Sequence, residues 1–194
     1  MMDVNNLKNI AVYCGAATGN NQIFIDGTKE LGHWIVENDY GLTYGGGVFG
    51  LMGVIADSVM ENNGYVHGII TEQLNNRNLA HPNLSKLDIV ETMDIRKKEM
   101  LNNSIASIAL PGGPGTLEEI SEAFSWAKLG DNDNPCIFYN IGHYYDPLKD
   151  FFDNMVDKGF LEQSGRKKVL FSNSLPEIKR FIDNYTPPAL RTYK

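Results

Sequence analysis

Short apolar runs of strand length alternate with helical patterns along the chain. The strand-like runs lie at residues 10–14, 40–44, 65–70, 87–90, 105–110, 136–140 and 169–171. Between them, helical patterns predict helices at 23–38, 51–62, 94–102, 116–129, 147–158 and 176–185, of which 94–102 is a charged helix. Strands that alternate with helices predict a parallel sheet covered on both faces, which is a Rossmann-like doubly wound α/β fold. In such a fold the carboxyl ends of the strands share one edge, where ligands bind.

The composition is that of an ordinary globular protein, and we expect a single domain over residues 1–194. The chain is 42% hydrophobic and 21% charged, which is enough apolar material for a core. The tail from residue 186, which contains Pro187 and Pro188, is expected to pack loosely. Cys14 and Cys136 lie within apolar runs, so we expect buried thiols rather than a disulfide framework.

The net charge and the lengths of the apolar runs argue against nucleic acid and membranes as binding partners. A formal net charge of -7 gives no general electrostatic attraction to nucleic acid or to an anionic membrane. No run approaches the ~20 apolar residues that cross a bilayer, and the first residues lack the basic start of a secretory signal. We therefore expect a cytoplasmic protein that holds any anionic ligand through backbone amides and a few cations.

Two glycine-rich loops follow separate predicted strands, and each opens a helix. The first contains Gly45, Gly46, Gly47 and Gly50, and the second runs from Pro111 through Gly112, Gly113, Gly115 and Thr116. Glycine lets a backbone approach a ligand closely, and the free N–H groups of a helix N-terminus favour a phosphate. Two such loops at one sheet edge predict a nucleotide or phosphate site.

Each loop also has another interpretation. Gly45, Gly47 and Gly50 fit the G-x-G-x-x-G fingerprint, and Glu72 lies where a ribose-binding acid is expected, as in an NAD(P)-binding oxidoreductase. That fingerprint, however, usually follows the first strand and here follows the second. In the second loop, Thr116 and Glu119 have capping-box spacing, which predicts a purely structural role for Glu119.

The same segments resemble the Lonely Guy family of cytokinin-activating phosphoribohydrolases and the related bacterial AMP nucleosidase-like proteins. Residues 111–119 match the family motif Pro-Gly-Gly-x-Gly-Thr-x-x-Glu at every fixed position, and residues 45–53 match Gly-Gly-Gly-x-x-Gly-Leu-Met-Gly. Met93 with Arg96 and Lys97 matches a further motif, and residues 125–130 resemble the family's helix end, where a small hydroxyl residue, here Ser125, is implied to face the ligand. The similarity runs from about residue 10 to about residue 161.

The resemblance implies hydrolysis of a purine nucleoside 5′-monophosphate, such as AMP or an N6-substituted AMP, to free base and ribose 5-phosphate. Arg96 would position the substrate and Glu119 would act as the base or stabilise the oxocarbenium-like ribose. The substrate-binding residues implied are Gly45, Gly46, Gly47, Gly50, Met93, Lys97, Gly112, Gly113, Gly115, Thr116 and Ser125. For Lys97 a solvated helix face is the alternative. The reaction needs only water, so no cofactor or metal is expected, and the resemblance further implies a homodimer.

The sequence departs from the family pattern at several positions near these motifs. Pro114 stands where an aromatic residue is common, and Asp94 where histidine is frequent. Asn78 stands where plant members have a glutamate, and the pair Ala16-Ala17 replaces a serine pair. These departures bear on base preference and leave Arg96 and Glu119 in place, although a nucleotide-binding protein without catalysis stays an alternative.

No other group of residues in the sequence predicts a metal site or a second kind of catalytic site. The four histidines, His33, His67, His81 and His143, show no metal-ligand spacing, and the P-loop pattern is absent. An aromatic group follows the sixth predicted strand, and core packing is its expected role. Its members are Tyr144, Tyr145, Phe151 and Phe152.

Overall fold

A computed structural model describes residues 7–190, which form one parallel β-sheet with helices on both faces. The strands are β1 (Lys8–Tyr13), β2 (Tyr40–Tyr44), β3 (Val66–Thr71), β4 (Lys86–Val90), β5 (Ala106–Ala109), β6 (Cys136–Tyr139) and β7 (Val169–Ser172). Their order across the sheet is β4-β3-β2-β1-β5-β6-β7. The doubly wound Rossmann-like α/β fold expected from the sequence is thereby confirmed. The segments 1–6 and 191–194, which include the start of the chain and the end of the expected tail, lie outside the described residues.

Eight α-helices are described, seven between strands and the eighth after β7. They are α1 (Gln22–Glu37), α2 (Gly50–Glu61), α3 (Glu72–Asn75), α4 (Met93–Asn102), α5 (Pro114–Leu129), α6 (Asp146–Asp157), α7 (Gln163–Arg166) and α8 (Leu175–Asp183). The six long helices agree with the predicted ones to within two residues at each end. The one-turn helices α3 and α7 were not predicted, because four residues are too short for a helical periodicity to be visible.

Apolar side chains form one core on each face of the sheet. Leu31 and Ile35 of α1 pack with Ile55 of α2 on the first face. Met100 of α4 and Phe152 of α6 belong to the core on the second face. The interior strand β2 is buried on both faces, as expected for a strand inside a parallel sheet.

The order of the strands reverses at β1, because β2 lies on one side of it and β5 on the other. The loops after β1 and β5 therefore leave the sheet toward opposite faces and open a crevice between them, the usual ligand position in this fold. The crevice is closed underneath by the Gly15 N–H, which donates to the Pro111 carbonyl at 3.1 Å. The Leu51 N–H in turn donates to the Gly15 carbonyl at 3.0 Å and brings the start of α2 to the same place.

Both cysteines are buried, as expected from their apolar surroundings. In the tail, Pro188 is buried, and Lys168 Nζ donates to the Thr186 carbonyl at 2.6 Å, whereas Leu190 is exposed. Across the described part of the chain, none of the helices has the length and apolar character needed to pass through a bilayer.

Candidate active site

A cavity of about 590 Å³ lies at the carboxyl edge of the sheet. Backbone and small residues of the loops after β1, β2 and β5 form its floor, and the side chains of Arg96 and Glu119 enter it from α4 and α5. The cavity thus brings together both glycine-rich loops and both predicted catalytic residues, which lie 23 residues apart in sequence.

Arg96 is held in one orientation by backbone carbonyls. The residue is 7% exposed; its Nε donates to the Ile69 carbonyl at 2.9 Å and its Nη2 to the Gly45 carbonyl at 3.0 Å. The remaining terminal nitrogen, Nη1, lies 3.5 Å from Glu119 Oε1 and 3.2 Å from Met93 Sδ. Because the guanidinium plane is anchored at the carboxyl ends of β2 and β3, its Nη1 edge faces the carboxylate.

Glycine at position 45 has a specific reason in this structure. A Cβ atom added at Gly45 would collide with Arg96 Nη2. The first glycine-rich loop therefore allows the guanidinium to lie directly against the backbone. This contact couples the loop after β2 to the α4 residue that the sequence motif singled out.

Glu119 is a buried carboxylic acid with an unusual protonation equilibrium. Its side chain is 14% exposed, and this burial raises its pKa to about 7, against the opposing effect of the nearby Arg96 charge. A carboxyl whose pKa lies near neutrality exchanges a proton readily under physiological conditions, as general bases do. Cys14 also lines the cavity, but burial raises the pKa of its thiol, so it stays protonated and is a poor nucleophile.

The capping-box interpretation of Glu119 is wrong. Helix α5 begins at Pro114 with Gly113 as its N-cap, two residues earlier than predicted. Thr116 thus lies inside the first turn, and Glu119 lies too far along the helix to reach back to the N-cap N–H. Pro at the first helical position, with its preset φ, explains the early start.

The N-terminus of α5 is open toward the cavity. Gly113 makes no side-chain capping hydrogen bond, and an added Cβ at Gly113 or Gly115 would meet no atom within 4 Å. Neither glycine adopts a left-handed backbone, so the fold itself does not require glycine there. The absence of side chains leaves the backbone N–H groups uncovered, which is the arrangement that binds phosphate at a helix N-terminus.

The other glycines of the first loop shape the site, but only one of them lines the cavity. Gly47 lines the cavity, whereas the Gly46 carbonyl accepts a hydrogen bond from the His81 N–H at 2.8 Å. Gly50 has φ +62° and packs on the backbone of the Ala16-Ala17 pair, where a Cβ atom would collide. A glycine at this position lets α2 approach the loop after β1.

Six of the residues that the resemblance implied as substrate contacts do not line this cavity, namely Gly46, Gly50, Gly112, Met93, Lys97 and Ser125. Lys97 Nζ instead pairs with Glu118 Oε1 at 2.5 Å and Glu122 Oε2 at 2.7 Å, and so ties α4 to α5. Ser125 lines a separate groove of about 540 Å³ between α5 and α6. Met93 is 42% exposed and touches the site only through its contact with Arg96.

An apolar wall of the same cavity was missed by the sequence reasoning. Phe49 and Met52 come from the first glycine-rich segment, and Leu74 and Leu79 from the segment between β3 and β4. The position of Phe49 and Met52 within a motif was a usable signal. Nothing in the sequence pattern marks Leu74 or Leu79, because they reach the cavity only through the path of their loop.

That loop is fastened to the first glycine-rich segment. The Val48 N–H donates to the Leu79 carbonyl at 3.0 Å, and Gly47 forms an isolated bridge with Ala80. The buried ring of His81 accepts from the Asn83 N–H at Nδ1 (3.3 Å) and reaches Asp57 of α2 through Nε2 (3.0 Å). With Nδ1 accepting, Nε2 carries the proton and donates to the Asp57 carboxylate.

A second cavity of about 420 Å³ adjoins the first, and Gly15, Ala16 and Gly113 line both. Tyr144 forms part of its wall and is 43% exposed, so the expected core packing is wrong for this residue. Core packing is also wrong for Phe151, which is 54% exposed, and is confirmed for Tyr145 and Phe152, both 5% exposed. Tyr145 and Phe152 belong to the core on the second face of the sheet, whereas their neighbours Tyr144 and Phe151 face away from it.

The geometry does not favour the dinucleotide fingerprint. Gly45, Gly47 and Gly50 follow β2, whereas the strand at which the sheet order reverses is β1. Glu72 is exposed and begins α3, and it does not line the cavity that holds Arg96.

Comparison with known sequences matches this chain to one family over most of its length. The family model described as "Possible lysine decarboxylase" matches residues 52–180. Two cytokinin riboside 5′-monophosphate phosphoribohydrolases of Arabidopsis thaliana, LOG2 and LOG1, are 36% and 38% identical over 180 residues. In each case the alignment covers 93% of this chain and 84% of the relative.

Solved structures of more distant proteins share the fold. The Moco carrier protein of Chlamydomonas reinhardtii superposes with a TM-score of 0.69 at 17% identity, covering 93% of this chain and all of that one. The molybdenum cofactor binding protein of Rippkaea orientalis gives 0.68 at 17% identity, covering 92% and 97%. At such identities the likeness concerns the fold alone, whereas the sequence matches over nearly the whole chain are specific: the protein belongs to the Lonely Guy (LOG) family.

Proposed function

We propose that the protein hydrolyses the N-glycosidic bond of a purine nucleoside 5′-monophosphate, releasing the free base and ribose 5-phosphate. The observation that carries the proposal is the Arg96–Glu119 pair, 3.5 Å apart, beside the open N-terminus of α5. The names of the relatives, which act on a cytokinin riboside 5′-monophosphate, support the same reaction class.

The 5′-phosphate is assigned to the N-terminus of α5. The uncovered backbone around Gly113 and Gly115, together with the positive end of the helix dipole, favours an anion there. Thr116, which is 4% exposed and lines the cavity, adds a hydroxyl at the same end of the helix. A phosphate in this position places the ribose over the Arg96–Glu119 pair.

Glu119 is assigned the chemistry at C1′. As the C1′–N9 bond breaks, positive charge builds on the ribose, and the adjacent carboxylate stabilises it. The same carboxylate accepts a proton from the attacking water, whose oxygen bonds to C1′, and the departing base ends with a proton on nitrogen. A pKa of about 7 suits a group that accepts and returns a proton within one cycle.

The base is assigned to the apolar wall. Phe49, Met52, Leu74 and Leu79 offer contact area to a purine and to an apolar N6 substituent. The wall therefore supports adenine or N6-substituted adenine as the base.

The test is chromatography of the purified protein incubated with AMP and with N6-isopentenyl-AMP. Release of free base and ribose 5-phosphate from either is expected, and Glu119→Gln is expected to lower kcat at least 1,000-fold, a change of about 4 kcal/mol. The matched control is Glu118→Gln, since the side chain of Glu118 is 52% exposed and pairs with Lys97 on the outside of α5. A fully active Glu119→Gln, or binding of both nucleotides without cleavage, contradicts the proposal.

The assembly and compartment belong to the same proposal. We expect a cytoplasmic homodimer that needs no cofactor or metal. Light scattering after size exclusion tests the dimer, and full activity after exhaustive treatment with a chelator tests the independence from metal.

A further inference from the structure

The second cavity lies on the far side of the assigned phosphate position. Gly113, which is the N-cap of α5, lines both cavities together with Gly15 and Ala16. An anion at the helix N-terminus therefore lies between the Arg96–Glu119 cavity and the second cavity. Because the two cavities adjoin at Gly113, a group attached to an outer oxygen of that anion has room in the second cavity.

The wall of the second cavity is apolar and carries an aromatic ring. Phe24, Leu51 and Tyr144 supply its large side chains. The Tyr144 hydroxyl is already used, because it donates to the Gly112 carbonyl at 2.6 Å, and the Tyr144 ring meets Phe24 edge-on with centroids 5.8 Å apart. The exposed part of Tyr144 is thus ring surface, which suits a planar, uncharged group.

The charges around the two cavities favour a singly charged phosphate. Among residues 7–190, Arg96 is the one lysine or arginine that lines either cavity, and it lies 3.5 Å from the Glu119 carboxylate. The second ionisation of a phosphate monoester has a pKa of about 6, so AMP carries nearly two negative charges at neutral pH. A phosphodiester carries one negative charge. It is therefore repelled less than AMP by Glu119 and by a chain with a net charge of -7.

We propose that the substrates include 5′-phosphodiesters of adenine nucleosides in which the second ester group is an uncharged planar ring bound in the second cavity. The inference rests on the proposed function. The reaction is unchanged at the ribose: water adds its oxygen to C1′, the C1′–N9 bond breaks, and the base leaves with a proton. The phosphodiester stays intact and leaves as a ribose 5-phosphodiester.

The experiment compares AMP with its phenyl ester, adenosine 5′-(phenyl phosphate), by base release from the wild-type protein and by calorimetric Kd on Glu119→Gln. We expect the ester to bind at least as tightly as AMP and to have an equal or higher kcat/KM. Ala17→Leu fills the second cavity from an exposed loop position and is expected to lower the ester-to-AMP ratio of kcat/KM at least tenfold. The matched control is Ala189→Leu, the same exchange at an exposed position in the C-terminal segment, which is expected to leave the ratio unchanged.

The outcomes separate this inference from the proposed function. If AMP is cleaved and the ester is cleaved or bound more than tenfold worse, the second cavity is no subsite and the glycosidase assignment stands. An equal loss for both nucleotides in Ala17→Leu also overturns the inference. If base is released from neither nucleotide while the ester still binds as tightly as AMP in an Ala17-dependent manner, the proposed function fails and the subsite stands.

Discussion

Nη1 of Arg96 lies 3.5 Å from Oε1 of Glu119, and both side chains are more than four-fifths buried. The arginine is fixed by two backbone carbonyls, whereas the carboxylate has this arginine as its neighbouring cation. Burial raises the pKa of the carboxyl more strongly than the arginine lowers it. The pair therefore keeps an acid near its titration point inside a nucleotide-sized cavity.

Catalysis is expected to rise with pH through about 7. Glu119 acts in its ionised form, and its pKa of about 7 means that the ionised fraction falls tenfold for each pH unit below that value. The measurement is kcat/KM for AMP between pH 5 and pH 9, compared with the same profile for Glu118→Gln. A profile that is flat between pH 5 and pH 7 contradicts the assignment of Glu119 as the base.

Removing the charge of Glu119 is expected to stabilise the fold at high pH. The carboxyl has a raised pKa in the folded state, so its contribution to stability is fully present below the unfolded value of 4.5 and is lost as pH rises through about 7. Glutamine resembles the protonated acid, so Glu119→Gln is expected to raise the free energy of unfolding by about 3 kcal/mol at pH 8 and by little at pH 4.5. Urea unfolding at the two pH values measures the difference, and an equal effect at both contradicts it.

Gly45→Ala is expected to displace Arg96. The added Cβ meets the guanidinium, which then loses its bond to the position 45 carbonyl and its alignment with Glu119. A misplacement of about 1 Å costs roughly 100-fold in rate, so kcat/KM for AMP is expected to fall by about that factor. Circular dichroism and a thermal melt establish that the variant is folded. Unchanged kinetics in a folded Gly45→Ala contradict the assigned role of the Arg96 orientation.

The His81–Asp57 contact is expected to affect substrate binding more than the chemical step. His81→Leu removes both ring hydrogen bonds from the loop that carries Leu79, so the apolar wall loses its support. KM for N6-isopentenyl-AMP is expected to rise about tenfold, roughly 1.4 kcal/mol, while kcat changes by less than about threefold. Asp57→Asn keeps an acceptor oxygen for Nε2 and serves as the conservative control. If only kcat falls, His81 acts in the chemical step, and its assigned role in substrate binding is wrong.

Local pattern was sufficient for the order of the elements and for the two glycine-rich loops. Seven strands and six long helices were predictable because buried strands leave short apolar runs in the sequence, and the segments between those runs have helical length and pattern. The motif residues Arg96 and Glu119 could be named in advance for a similar reason, since their neighbours in sequence carry the motif. The start of α5 could not be predicted correctly. Thr116 with Glu119 has the spacing of a capping box, but the helix begins at Pro114 with Gly113 as its N-cap.

Sequence patterns were enough to predict the fold class, the sheet edge that carries the loops, and Arg96 and Glu119 as candidates for catalysis. Tertiary structure decided which neighbours each residue meets: Lys97 turns to Glu118 and Glu122, Ser125 enters another groove, and Leu79 reaches the cavity from a distant loop. The protonation state of Glu119 also comes from tertiary structure, because desolvation depends on atoms supplied by many segments. Periodicity and motifs act over a few residues, whereas burial and contacts between loops arise only when the sheet brings distant segments together.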